Sequence, residues 1–290
     1  MRSHLFGRLG SRNLREIAQQ PLTRALLPLG IATAAIFGVI HLSEGISFAQ
    51  IQADARGYSI PTLAIAMAAM ALSYFFLAFY DVVILPTYTE VKIPTPVLML
   101  TGSSSLAVSN LFGFSWLTGG TVKFKIYGSY GVKLSDIAKL MATSWAAFFA
   151  GLWALIGFVL IIYPEGFTSL VAMQRHTATL IGAMMLGLLA WFFYWTRYKV
   201  RSLGFAQFRL GMPLARDGLL LTAVTVFELI AMALVLYVLL PKDLAIGFGP
   251  FVGVFAVAVG LGILSHSPGG LGVFEVTLIA ALGAMGRSDV

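Results

Sequence analysis

Two apolar stretches of this chain, Pro96–Thr121 and Ile246–Glu275, are long enough to enter a bilayer yet carry glycine, serine and proline where a spanning helix should be continuous. The first contains Thr101-Gly102-Ser103-Ser104-Ser105, then Ser109-Asn110, Gly113, Ser115 and Gly119-Gly120; the second contains Gly249-Pro250, Gly253, Gly260, Gly262 and Ser265-His266-Ser267-Pro268-Gly269-Gly270. Irregular backbone in hydrocarbon leaves N–H and C=O groups unpaired at several kcal/mol each, so it survives only inside protein or beside a water-filled cavity. A pair of interrupted segments in corresponding places points to a transport site between two repeats.

The rest of the chain supports a membrane setting. With 59% hydrophobic and 11% charged residues, it lies far from the soluble average. The net charge of +7 would suggest nucleic acid in a soluble protein, but here the basic residues sit in short loops between apolar runs. There they report orientation, and no direct nucleic-acid binding is expected. The absence of cysteine excludes thiolate chemistry and disulfides. Four scattered histidines form no metal motif, and no cofactor is called for.

Residues 1–24 carry Arg2, Arg8, Arg12, Arg15 and Arg24 against a single Glu16, which keeps the N-terminus in the cytoplasm. Spanning helices are predicted at about 25–42, 61–85, 137–163, 177–196 and 218–240, with a shorter one at about 271–286, from the roughly 20 apolar residues a crossing needs. If Val97–Thr118 crossed fully, the cluster Lys123, Lys125, Lys133 and Lys139 would be external, and so would the basic residues Arg197, Lys199, Arg201, Arg209 and Arg216. If the segment dips in and returns, both clusters become cytoplasmic, as the positive-inside rule requires. The same count makes the second broken segment enter from the opposite face. The expected fold is therefore an all-α polytopic membrane protein of about six spanning helices plus two oppositely oriented re-entrant segments, like an inverted repeat. The run from Gly119-Gly120 to Phe124-Lys125 faintly matches that from Gly269-Gly270 to Phe274-Glu275.

Ionisable groups at membrane depth each need a reason, since each costs from about 3 to more than 10 kcal/mol. Glu228 sits mid-helix with no basic residue within a turn, and must face a cavity, a partner or a proton. Glu275 follows Gly269-Gly270 by about a turn, where a helix N-terminus favours a carboxylate. Asp81 lies one turn before Pro86, and either belongs to a site or is an interfacial carboxylate. Lys123 and Lys125 follow Gly119-Gly120 and either meet a ligand or snorkel to anionic headgroups. Glycine-rich turns opening half-helices would offer N–H groups to phosphate, and the carboxylates would offer charge to an amine. A serine-protease reading of Ser103 with His266 is weaker than the helix-breaking role of three consecutive serines.

The run from Ser109-Asn110 through Thr118-Gly119-Gly120-Thr-Val-Lys123-Phe-Lys125-Ile-Tyr127, the pair Tyr80-Asp81 and the run Ser267-Pro268-Gly269-Gly270-Leu-Gly272-Val-Phe-Glu275 together resemble the N-terminal flippase module of the multiple peptide resistance factor family. Its members are bifunctional phosphatidylglycerol lysyltransferases and flippases of the lysylphosphatidylglycerol synthase transmembrane superfamily. The resemblance spans roughly residues 25–282. It implies transfer of lysyl-phosphatidylglycerol from the inner to the outer leaflet of the bacterial cytoplasmic membrane, and resistance to cationic antimicrobial peptides. Phosphatidylglycerol and its lysyl ester are then the lipid partners, with substrate contacts expected at Asp81, Asn110, Gly119, Gly120, Lys123, Lys125, Glu228, Gly269, Gly270 and Glu275. The resemblance places synthase chemistry, charged from lysyl-tRNA, on a C-terminal cytosolic domain, so a full-length chain would be an enzyme while residues 25–290 are a transmembrane module with no catalytic residue. Family members continue beyond the position of Val290, which marks this chain as an expected fragment. A homo-oligomer and a carrier of another amphipathic solute remain open.

Overall fold

The computed structural model describes residues 52, 56–112, 115–164, 173–197, 202–205, 208–211, 214–241, 244, 246–265 and 270–285. The basic segment 1–24 and the helix expected at about 25–42 lie outside the described residues. Helix α1 runs Ile60–Ile84 and starts at Ser59, whose hydroxyl accepts the Thr62 N–H at 3.3 Å. It ends in a 3-10 turn, Leu85–Thr87, at Pro86, which cannot continue the ladder. There follow α2 (Thr95–Phe112), α3 (Ser115–Ser129), α4 (Leu134–Ile162) and α5 (Arg175–Thr196). After a short hairpin come α6 (Ala215–Leu239), α7 (Phe248–Leu264) and α8 (Val273–Met285). Among the described residues, four helices, α1, α4, α5 and α6, are long and apolar enough to cross a membrane, and the architecture is that of a polytopic α-helical membrane protein.

One element departs from an all-helical chain. Strands β1 (Ser202–Phe205) and β2 (Phe208–Gly211) pair antiparallel, with Ser202 opposite Gly211 and Phe205 opposite Phe208. This segment alternates apolar and polar residues, the period of a strand, and reverses the chain between two spans.

Both broken segments fold as helical hairpins. In the first, Ser105 on α2 donates its hydroxyl to the Gly119 carbonyl on α3 at 2.9 Å, and Ser109 also lies against Gly119. These pairs bracket the break between Phe112 and Ser115, as antiparallel arms require. In the second, Gly262 on α7 lies against Gly270, and Phe255 meets Phe274 edge-on at 5.8 Å between ring centres. The arms hold 18, 15, 17 and 13 residues, so each is about 20–27 Å long and stops short of the roughly 30 Å hydrocarbon core. Three candidate spans separate the hairpins, so the hairpins open toward opposite sides.

The placement of the first turn corrects the expectation from sequence. Gly119-Gly120 does not open a half-helix; it lies inside α3, which already begins at Ser115. Lys123 and Lys125 accordingly ride on the returning arm rather than in a loop. Glycine in a membrane has two uses, breaking a helix or letting two backbones touch, and here the second applies. A methyl group at Gly119 would run into the Ser105 and Ser109 hydroxyls.

Two apolar cores flank the centre. One joins α4, α5, α6, α7 and α8 around Leu155, Leu229, Phe251 and Phe255. The other joins α1, α2, α3, α4 and α6 around Ile84, Leu98, Tyr127, Ile137 and Leu221. The long contact between α1 and α6 runs between them and carries Ser73, Tyr80, Thr225 and Glu228.

Candidate functional site

Helix α1 presents polar side chains to two different neighbours. Ser73 and Tyr80 are seven residues apart, two turns, and so share one face; Asp81 is rotated about 100° from Tyr80. Ser73 and Tyr80 meet α6, whereas Asp81 meets the α2–α3 hairpin.

Asp81 is fully buried, at 0% exposure. Its Oδ1 accepts from the Lys123 ammonium, and its Oδ2 accepts from the Tyr127 hydroxyl. Lys123 and Tyr127 are four residues apart on α3, one turn, so both reach the same carboxylate. Tyr127 also lies 3.3 Å from the Leu98 carbonyl of α2. Gly102 completes the fit: a methyl group there would stand 3.4 Å from the carboxylate, so α2 can lie directly over it. The result is a compact ion pair with a charge-assisted hydrogen bond that fastens the hairpin to α1. Asp81 is therefore enclosed by protein, and the Lys123 ammonium turns to it.

Glu228, at mid-length of α6, is 2% exposed. Its Oε1 receives the Ser73 hydroxyl at 3.3 Å, while its Oε2 has no hydrogen-bond partner among the described residues. One turn earlier on α6, Thr225 donates to the Leu221 carbonyl at 2.8 Å and takes the Tyr80 hydroxyl. Thr225 presses on Gly151 of α4, where any side chain would collide with it. Phe76 and Phe227 stack across the same α1–α6 seam with ring centres 5.8 Å apart.

The other expected residues are scattered. Glu275, the third residue of α8, reaches back to accept the Gly272 N–H at 2.6 Å and so caps the start of that helix. Gly270 and Gly272 have φ of +72° and +83°, and the turn into α8 uses this left-handed backbone. Gly120 contacts Met141, and Lys125 is exposed. Asn110 belongs to α2, but its side chain, like all of Gly269, lies outside the described residues. Thus Asp81 and Lys123 come together, Glu228 meets a different face of α1 at Ser73, and Gly119, Gly120 and Glu275 serve the packing and capping of helices. Sequence reading did not assign Tyr127, Ser73, Tyr80 or Thr225. The one-turn spacing of Lys123 and Tyr127 on an apolar helix was the available signal for the first.

Comparison with known proteins gives relatives at low identity. No family model matches the chain. It is 28% identical over 235 residues to an uncharacterized protein of Synechocystis sp., covering 79% of this chain and 71% of that one. It is 22% identical over 265 residues to the inner membrane protein YbhN of Escherichia coli, covering 90% and 81% of the two chains. Over 73 residues it is 38% identical to a phosphatidylglycerol lysyltransferase of Staphylococcus epidermidis, a match that takes in 25% of this chain and only 9% of the enzyme. These similarities relate the chain distantly to a group of membrane proteins that includes a lipid-modifying enzyme.

Proposed function

We propose that this chain moves an aminoacylated phospholipid, lysyl-phosphatidylglycerol, between the leaflets of a bacterial inner membrane, as a module of the lysylphosphatidylglycerol synthase-like membrane proteins. The observation that carries the reading is Glu228, a buried carboxyl on a membrane-spanning helix with one oxygen unpartnered among the described residues. A headgroup that bears a phosphate and two amines has the complementary charges: Glu228 suits an ammonium group, and exposed Lys125 adds positive charge where the phosphate would approach. The Asp81–Lys123 pair holds in place the arm that carries Lys125. Placing lysyl lipid on the outer leaflet would lower surface negative charge and blunt cationic antimicrobial peptides. The likeness to the lysyltransferase over 73 residues and to YbhN along most of the chain supports both the lipid and the membrane.

A reconstituted transfer assay tests the proposal. In proteoliposomes loaded with lysyl-phosphatidylglycerol on the inner leaflet, the wild-type protein should expose the lipid to an impermeant amine reagent. Glu228→Gln should abolish that exposure while leaving reconstitution intact. Exposure at the wild-type rate by Glu228→Gln would remove that carboxyl from the transport path. The match to the lysyltransferase favours one second reading, a platform that presents phosphatidylglycerol to a synthase domain. Under it, the protein would bind phosphatidylglycerol without moving it.

A further inference from the structure

Among the described residues, a charge on Glu228 has no counterpart. Its carboxyl is 2% exposed, one oxygen takes a single hydroxyl from Ser73, and the other has no partner among the described residues. An ionised carboxylate held that way in an apolar interior is strongly disfavoured and neutralises by taking up a cation or a proton. Among the described residues, the surrounding helices offer no cation. On α1 the titratable residues are Tyr74, Tyr80, which gives its hydroxyl to Thr225, and Asp81, which is already held by Lys123 and Tyr127. On α4 the charged residues are Asp136 and Lys139, paired with each other at its first turns. On α5 the titratable residues are Arg175 and His176 at its start and Tyr194 near its end, and α7 has none. On α6 itself, Arg216 and Asp217 lie about three turns away, roughly 16–18 Å along the axis, and Tyr237 gives its hydroxyl to the Ile246 carbonyl.

We propose that Glu228 is a proton-exchange site: its carboxyl carries a proton while the α1–α6 seam is empty, and gives it up when an ammonium group occupies the free Oε2 edge. The step balances simply. The carboxyl O–H bond breaks, the proton passes to water, and the carboxylate pairs with the incoming ammonium, so the charge buried in the seam rises by none from the carboxyl and amine together. Ser73 donates to Oε1 in both states and holds the carboxyl in place. Identifying the ammonium as that of a lysyl headgroup rests on the transport reading; the protonation of the empty site does not. Loading the lipid in one leaflet and releasing it in the other would then exchange it for a proton, which gives transport a driving force in a chain whose sequence shows no nucleotide loop.

Infrared difference spectroscopy on the whole chain in nanodiscs tests this. In phosphatidylglycerol nanodiscs at neutral pH, the wild type should show a protonated-carboxyl C=O band that Glu228→Gln lacks and that Ser73→Ala shifts in frequency. Replacing the lipid with lysyl-phosphatidylglycerol should bleach that band. A wild-type minus Glu228→Gln difference containing only carboxylate bands would overturn the inference, and so would a Glu228 band untouched by the lysyl lipid. Ser73→Ala keeps the carboxyl, so the assignment survives even if Glu228→Gln misfolds. The leaflet-transfer assay is read separately. Transfer without a Glu228 band overturns proton exchange and keeps transport; a band that lysyl lipid bleaches, without transfer, keeps proton exchange and overturns transport.

Discussion

The two halves of the molecule are built from the same parts and treat a buried carboxylate in opposite ways. In the first, α1 is followed by the hairpin α2–α3, and the hairpin supplies Lys123 and Tyr127 to close both oxygens of Asp81. In the second, α6 is followed by the hairpin α7–α8, whose described residues include no lysine or arginine, and Glu228 keeps one oxygen open. The contrast separates two purposes for charge in a membrane. A pair that is satisfied within one half fastens a short hairpin that is too short to span by itself. A carboxyl left half satisfied in the other half is free to change its partner.

The contrast can be broken most severely at Asp81. Asp81→Ala leaves the Lys123 ammonium buried without a counter-ion and should cost about 3–5 kcal/mol, enough to lose the hairpin. Unfolding in detergent by titration with denaturant measures this, and Asp81→Asn combined with Lys123→Met should recover most of the loss. Additive losses in that double variant would show that the two side chains do not act as a pair. Tyr127→Phe removes only the second arm of the clamp and should cost about 1.5–3 kcal/mol, the worth of a hydrogen bond to a charged group. Glu275→Ala removes a cap at the start of α8 and should cost about 1 kcal/mol, read in the same unfolding series. Glu228→Gln should be the mildest for stability, within about 0.5 kcal/mol, because an amide replaces a carboxyl that carries no ion pair. A loss there as large as at Asp81 would erase the distinction between the halves.

The spans were legible from the sequence because length and apolarity alone decide them: the helices predicted at 61–85 and 218–240 are found at Ile60–Ile84 and Ala215–Leu239. The existence of two interrupted segments was legible for the same reason. The packing role of Gly119 was not, since a glycine beside serines reads equally well as a break, and only Ser105 and Ser109 facing it on α2 make it a contact. At the site, Asp81, Lys123 and Glu228 were each conspicuous as charges in an apolar chain. Their pairing was hidden because Lys123 is 42 residues from Asp81 and meets it only through the hairpin. Glu275 shows the converse: its position after a glycine turn was correctly read as a helix N-terminus, and the structure gives it the local role.

The clamp on Lys123 also has a history during synthesis. A ribosome delivers α1 first, and a lone aspartate in so apolar a helix adds only about 2.5–3.5 kcal/mol to its insertion, which the remaining residues of α1 can offset. The hairpin has no such surplus: its arms are short, and one of them carries an ammonium group. Its entry therefore depends on the carboxylate already waiting in the bilayer, so the order of the gene is part of the folding instruction. A circularly permuted chain that begins at α2 would offer the lysine to the membrane before its partner exists, and would leave that hairpin stranded at the surface.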